Sequence, residues 1–436
     1  MVKWHPFTKK QLQILSWWTK GSPYSDYVGI IADGAVRSGK TIVMSLSFIL
    51  WAMETGNEEQ YIIAGKTIGS LRRNLITPLK QTIINRGFKV KDLKGDNLLI
   101  ISKGNTTNWF YLFGGRDESS QDLVQGLTAR GALLDEVSLM PLTFVNQVMA
   151  RCSITGRKLW FNCNPQGPQH WFYQEHILKA KENKYLRIHF QLEDNPSLAP
   201  EIVEGYKRMF SGIFYKRFIL GQWAFADGII YDCFNEDRNT YTNANREKVL
   251  PWQILENDPD GGYPYYGSDY GVLNPMVYLE VYKVRKGNDR IPYFYVENEY
   301  YYDGRKSMVQ KSDVEEIEAL VELIGNKNYR ALIIDPSASS LIVAARQQGI
   351  PVHKAKNDVL DGIHLVYSLM ATGHILINKD NCPNLVNELG QYIWNEKRGL
   401  VGKEEPLKQN DHACDALRYA IATTTSSYEV YEGIEN

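Results

Sequence analysis

Apolar residues in the first half of the chain come in short runs of strand length, and polar turns or stretches of helical spacing separate them. Residues 28–32 (VGIIA) read as a buried strand, and residues 42–51 (IVMSLSFILW) read as an apolar helix beyond a glycine-rich turn. Residues 60–64 (QYIIA) predict a second strand, followed by a helix around 70–75 (SLRRNL). The runs 98–101 (LLII) and 109–113 (WFYLF) flank the turn Lys103-Gly104-Asn105 and predict paired strands. Two further strands fall at 132–134 and 158–162, and helical spacing runs from 201 to 218. Strands alternating with helices predict an α/β domain with a central, mostly parallel sheet, whose carboxyl edge collects ligands. The first twenty residues, with Trp17 and Trp18, read as a helix laid on that domain.

The pattern changes in the second half. Residues 263–269, 276–284 and 291–302 are long, tyrosine-rich and alternating, as in an antiparallel meander, with a turn at Lys286-Gly287-Asn288-Asp289. A helix follows, opened by a Ser312/Glu315 capping box and striped by Val314, Ile317, Leu320, Val321 and Ile324. Then comes a buried strand, 331–334, ending in Asp335, and later a final helix over 412–420 packed through Ala413, Leu417, Ala420 and Ile421. Three strands, a helix, a strand and further alternating elements follow the order of the ribonuclease H fold, with a mixed sheet. The turn-rich stretch from 222 through 262 separates the halves, so the expected organisation is 1–222, a linker over 223–240, and 241–436.

The turn after the first strand carries the strongest chemistry. Gly34 to Thr41 reads GAVRSGKT, a spacing that lets backbone N–H groups, including those around Arg37 and Ser38, curl about phosphates. Gly34 and Gly39 supply the conformational freedom, Lys40 reaches the outer phosphates, and Thr41 holds Mg2+ at a helix start. The run ALLDE ends in Asp135 and Glu136, suited to hold the magnesium through water and to act as general base in ATP hydrolysis. Asn164, in the turn after the strand 158–162, is either a sensor of the γ-phosphate or an ordinary Asn-Pro turn. Phe7 and Gln11 either contact adenine or belong to the core. Arg72 and Arg73 are read as contacts to DNA or nucleotide, or as a solvated helix face.

Composition narrows the class. In 436 residues, 44% are hydrophobic and 12% aromatic, enough for two or three packed domains. No run reaches the roughly 18 apolar residues of a membrane span, and the N-terminus has no signal-peptide core, so no membrane role is expected. A net charge of −1 argues against coating nucleic acid by bulk attraction, while local basic tracks remain open. The five cysteines lack paired spacing, which points away from zinc sites and disulfides and towards a reducing cytoplasm.

GAVRSGKT with its internal Arg37, GLTARGALLDE, FNCNP, Asp194-Asn195-Pro196 and FILGQW (218–223) together resemble the large subunit of tailed-bacteriophage terminases, over nearly the whole chain. The resemblance implies an ATP-driven motor that moves double-stranded viral DNA into a procapsid, joined to a metal-dependent endonuclease that cuts the concatemer. It also implies a homo-oligomeric ring on the portal protein, with a monomer in solution as the other state. A small terminase subunit delivers DNA, and the work is done in the host bacterial cytoplasm, transiently docked on the procapsid and outside the mature virion.

In a ribonuclease H arrangement Asp269 and Asp335 end neighbouring strands, and Asp415 joins them from the final helix. Three converging acids require cations, and two divalent ions (Mg2+ or Mn2+) about 4 Å apart would clamp a phosphodiester. His412 and Asp415, three apart on one face, match the last metal-site pair of siphophage-type terminase nucleases, with His412 as ligand or proton carrier. Asp411 is an extra ligand or, preferably, an N-terminal cap. Lys354, Lys356 and Lys408 either hold DNA backbone or are solvated. The arginine that stabilises the γ-phosphate is Arg37, Arg72, Arg116 or Arg130. A helicase-like or repair translocase and a non-catalytic nucleotide switch are the rival readings. The first would carry a second motor lobe in place of the acidic half, and Glu136 argues against the second.

Overall fold

The computed structural model describes residues 6–249, 262–271, 274–286, 289, 291–425 and 430. It divides into two compact units. The first runs to Val203 and includes Ile213–Phe225 and Leu400–Lys403; the second comprises Glu204–Gly212, Ala226–Gly399 and the residues from Glu404 on. Within the stretch expected as a linker, Ala226 already belongs to the second unit. Residues 250–261, expected to continue that stretch, lie outside the described residues, as do Gly287 and Asn288 of the expected turn.

The first unit holds eight strands: β1 (Gly29–Gly34), β2 (Gln60–Gly65), β3 (Lys89–Leu93), β4 (Leu98–Lys103), β5 (Thr106–Gly114), β6 (Gly131–Asp135), β7 (Lys158–Cys163) and β8 (Tyr185–Phe190). Their order is β3-β4-β5-β2-β6-β7-β1-β8, parallel from β5 to β8 and antiparallel only along β3-β4-β5. Strands β1, β6 and β7 are buried throughout, as parallel strands covered on both faces require. The helix Lys40–Thr55 lies on one face, where Trp51 and Phe48 meet Trp160 of β7 at ring distances of 5.0 and 5.2 Å. The helix Lys9–Ser16 packs on it, and Ser47 Oγ accepts from both Trp18 and Trp160 while donating to the Ile14 carbonyl. That hydroxyl satisfies two buried indoles that apolar packing would leave unpaired.

In the second unit β9 (Thr240–Tyr241), β10 (Tyr265–Asp269), β11 (Met276–Val284), β12 (Tyr293–Tyr302), β13 (Leu332–Ile334), β14 (Val352–Lys354) and β15 (Ile375–Asn378) are ordered β14-β13-β10-β11-β12-β15-β9. The sheet is mixed: β10-β11-β12 form the antiparallel meander, and the other neighbours are parallel. The final helix, His412–Thr424, crosses β10 at close range because Gly267 has no side chain; a Cβ there would meet the Ala416 carbonyl oxygen at 2.5 Å. This closeness brings the end of β10 beside the start of that helix.

Two expectations change. The helical spacing over 201–218 resolves into the helix Pro200–Met209 and a second helical segment, Gly212–Phe214 continued by Tyr215–Ile219, with the break at Gly212, whose φ of +48 is a conformation that favours glycine. In the helix Asp313–Ile324 the capping box forms and Ile317, Leu320 and Ile324 are buried, but Val314 and Val321 are 55% and 48% exposed. The buried face turns instead through Glu316, which accepts from the Tyr300 hydroxyl at 3.1 Å.

Candidate active sites

In the first unit, β1 delivers the chain into the phosphate-loop sequence with Gly34 at φ +138, Arg37 at +55 and Gly39 at +85. A Cβ on Gly34 would lie 1.9 Å from the Phe190 carbonyl oxygen, so only glycine fits. The loop is fastened from outside. Ala35 N donates to Phe190 O at 2.8 Å, Val36 N to Phe218 O at 3.0 Å, and the Asn195 amide to Arg37 O at 2.7 Å. Lys40 Nζ lies within, 3.1 Å from Gly34 O, 2.5 Å from Ala35 O, 3.2 Å from Ser38 Oγ and 3.1 Å from Asn164 Oδ1. Burial lowers its pKa to about 8.

Asp135 ends β6 in register with Asn162 of β7. The Asn162 amide donates to the Asp135 carboxylate and, at 2.9 Å, to Thr41 Oγ1, linking the loop's hydroxyl to the strand-end acid. Burial raises Asp135 to about 6, against that amide and Lys40. Glu136 takes a left-handed backbone (φ 58, ψ 39), uncommon outside glycine and frequent at functional sites. Gln11 is buried within a Thr8 capping box, and its Nε2 would lie 3.1 Å from a Cβ on Gly39. Lys40, Thr41, Asp135, Glu136 and Asn164 thus gather at the carboxyl ends of adjacent parallel strands, where such sheets bind ligands.

Among the arginines, Arg130 precedes β6 at the opposite, amino edge and pairs with Glu59 at 3.0 Å. Arg72 pairs with Asp92 at 3.0 Å. Arg116 is exposed and Arg37 lies in the loop itself.

In the second unit a cleft of about 480 Å3 is lined by Asp269, Asp335, Asp411, His412, Asp415 and Lys408, with Tyr301, Arg305 and Lys306 among its other walls. Asp269 Oδ2 is 2.8 Å from His412 Nδ1. Burial raises the Asp269 pKa against that contact; His412 is raised because the same pairing outweighs its own burial. Asp335 accepts from Ser337 N at 2.7 Å and Asn357 Nδ2 at 3.2 Å, contacts that outweigh burial and hold it low.

Asp415 is 4% exposed. Its Oδ1 is 2.9 Å from Arg418 Nη2 and 3.2 Å from the Tyr392 hydroxyl, and its Oδ2 is 3.1 Å from Lys408 Nζ. These cations overcome burial and keep it ionised. The three acids share one cleft, yet among the described residues no group of three His, Cys, Asp or Glu side chains forms a ready metal cluster. Lys408 and Arg418 compensate Asp415 instead, His412 faces Asp269, and neutral donors hold Asp335. Carboxylates with one imidazole suit Mg2+ or Mn2+, and the Lys408 ammonium between Asp411 and Asp415 marks where positive charge is needed, so the residues fit such an ion. Asp411 occupies the N-cap position without a capping hydrogen bond, contrary to expectation. Lys354 and Lys356 are exposed and do not line the cleft.

Residues 31–238 match the family model for the terminase large subunit, T4likevirus-type, N-terminal, and residues 290–423 match that for the terminase RNAseH like domain. The structure of the large terminase from a thermophilic bacteriophage aligns with a TM-score of 0.87 at 48% identity, covering 96% of this chain and 99% of that one. The chain belongs to the terminase large subunits. The same phage terminase in complex with ADP gives 0.85 at 48% identity over 96% and 99%; in complex with ATP-gamma-S it gives 0.84 at 46% over 95% and 98%. Comparison with curated proteins returns no match. This terminase is an ATPase and a nuclease of viral DNA packaging, with a P-loop unit and a ribonuclease H-like unit. Among its described residues no helix is long and apolar enough to cross a membrane.

Several residues of these sites escaped the sequence reading. Asn162 was legible as a polar residue inside the apolar strand KLWFNC. Asp33, fully buried beneath the loop, accepts from Arg187 (2.9 and 2.8 Å) and Trp223 (3.0 Å), partners far away in the chain. Arg418, three residues after Asp415 on a buried helix, carried the signal of an i,i+3 ion pair. Glu388 gave none.

Proposed function

We propose that this terminase hydrolyses ATP at the Lys40–Asp135 site to drive double-stranded DNA into a procapsid, and cuts the concatemer at the Asp269 cleft. The observation that carries the motor reading is the Asn162 amide, which joins Thr41 and Asp135 from distant stretches of chain. The thermophilic phage relative bound to ADP and to ATP-gamma-S supports nucleotide binding at this loop. Gly34, Arg37, Ser38 and Gly39 wrap the phosphates and Lys40 balances their charge. Thr41 and Asp135 hold Mg2+, which would neutralise charge on the phosphate oxygens. Glu136 takes the proton of the attacking water, Asn164 senses loss of the γ-phosphate through Lys40, and Gln11 borders the nucleotide. The arginine acting on the γ-phosphate is Arg37, in the phosphate loop itself, or Arg116, two residues beyond the carboxyl end of β5.

In the nuclease, Asp269, Asp335 and Asp415 with His412 hold two divalent cations, which would supply an activated water and stabilise the leaving oxygen. His412 holds the Asp269 carboxylate in place through Nδ1. The small terminase subunit presents DNA, and a ring of these chains docks transiently on the portal in the host bacterial cytoplasm.

Two variants test the division of labour. Lys40→Ala is expected to abolish ATP turnover and leave Mn2+-dependent plasmid cutting; Asp335→Asn is expected to do the reverse. An Asp335→Asn chain that cuts at the wild-type rate refutes the nuclease assignment.

A further inference from the structure

The N-terminus of the helix His412–Thr424 is capped from outside. Asp411 stands at the N-cap, where an aspartate ordinarily accepts from the N–H groups two or three residues on, but it makes no such bond. Glu388 does so instead. Its Oε2 accepts from Ala413 N at 2.6 Å and Cys414 N at 3.2 Å, and its Oε1 accepts from the Tyr301 hydroxyl at 2.8 Å. Asp411 is thereby released from capping while remaining only 3% exposed on the wall of the nuclease cleft.

A carboxylate buried to that degree needs positive charge or hydrogen-bond donors. Asp411 Oδ2 is 3.2 Å from Lys408 Nζ, and its Oδ1 is 3.9 Å from His412 Nε2, on the imidazole whose other nitrogen pairs with Asp269. One turn further on, Asp415 has its Oδ1 committed to Arg418 and Tyr392, so half of its donor capacity is already in use.

We propose that Asp411 is a fourth carboxylate of the nuclease centre, a direct ligand to the divalent cation, freed for that role by the Glu388 cap. The proposal rests on the reading of the cleft as a cation-dependent nuclease. The Lys408 ammonium holds the oxygens that the cation takes, and a divalent ion displaces it because its charge density on carboxylate oxygens is higher.

Mn2+ binding to the full chain, followed by the loss of the free-ion signal in electron paramagnetic resonance, separates the alternatives when read alongside far-UV melting. Asparagine caps a helix as well as aspartate does, so Asp411→Asn preserves any capping role and removes only the charge. Asp411→Asn is expected to weaken Mn2+ binding by about 10-fold or more, as loss of even a supporting group around a metal does, with an unchanged melting curve. Asp269→Asn is expected to weaken binding likewise. Wild-type Mn2+ affinity in Asp411→Asn together with weakened affinity in Asp269→Asn overturns the proposal and leaves the nuclease reading intact. Wild-type affinity in both overturns the cation reading of the cleft itself. An Asp411→Asn chain that melts early also overturns the proposal, since it makes Asp411 a structural group.

Discussion

Asp33→Asn probes the foundation of the phosphate loop. The Asp33 side chain is fully buried immediately before Gly34 and accepts two hydrogen bonds from Arg187 and one from the Trp223 indole, with His189 Nδ1 at 3.4 Å. Burial alone would raise its pKa, but the bonds from His189 and Arg187 prevail and bring it from 3.8 to about 2. At about 1.4 kcal/mol per tenfold change, this corresponds to about 2.4 kcal/mol of folded-state preference for the charged form. Because the folded pKa is depressed, that stabilisation is complete above the ordinary carboxylate range and is lost as pH falls through about 2. Substitution by asparagine removes the charge and leaves Arg187 half paired, so a loss of about 2–4 kcal/mol at neutral pH is expected. Urea unfolding followed by tryptophan fluorescence reads this unit, since Trp17, Trp51 and Trp160 lie in its core. The gap between wild type and variant should stay constant from neutral pH to about pH 4.5 and narrow below it. A gap under about 1 kcal/mol at neutral pH, or one that widens on acidification, refutes the reasoning.

Three further outcomes follow from the motor site. With Asp135 near 6 and Lys40 near 8, binding of Mg2+·ATP should release protons at about pH 6, where Asp135 must ionise, and take them up at about pH 8, where Lys40 must be charged. Calorimetry in buffers of different ionisation heat would show the sign reversal, and uptake of one sign throughout contradicts it. Arg130→Ala should leave ATP turnover within about twofold, whereas loss of the true γ-phosphate arginine costs about 1000-fold, so assays of Arg37→Ala and Arg116→Ala, each mixed with Lys40→Ala, identify it and show whether it acts across subunits. Gly221→Ala places a Cβ 2.7 Å from Phe190 O and 2.8 Å from Ala35 N at φ +68. The left-handed backbone alone costs about 1–2 kcal/mol, and a lower melting temperature with weaker ATP binding is expected.

The central strands of both sheets were legible because they are either continuous apolar runs or clean alternations, and those periods survive without tertiary information; β3, β8, β9, β14 and β15, short or interrupted by polar residues, were not. The glycine-rich turn was legible because its geometry is local. Contacts between distant segments were not. Nothing around Glu388 announces that it will cap a helix that begins at His412, so Asp411 reads as the cap from its position alone. Arg130 sits within GLTARGALLDE and reads as part of the site, but it precedes β6 and the acids follow it, so a strand's length separates them. Val314 and Val321 fit the helical stripe on spacing, yet the meander offers Tyr300 to Glu316 and the helix turns accordingly. For the nuclease acids, the order of elements placed Asp269 and Asp335 on neighbouring strands; the ion pairs that occupy Asp415 depend on Lys408 and Arg418.

The central claim, that the engine's chemistry lies where Asp135 and Glu136 leave β6, is tested most directly by ATP turnover and ATP binding in a Glu136→Gln chain. The account predicts retained ATP binding with turnover reduced by about 100-fold or more, the contribution of a positioned general base. Turnover at the wild-type rate would contradict it.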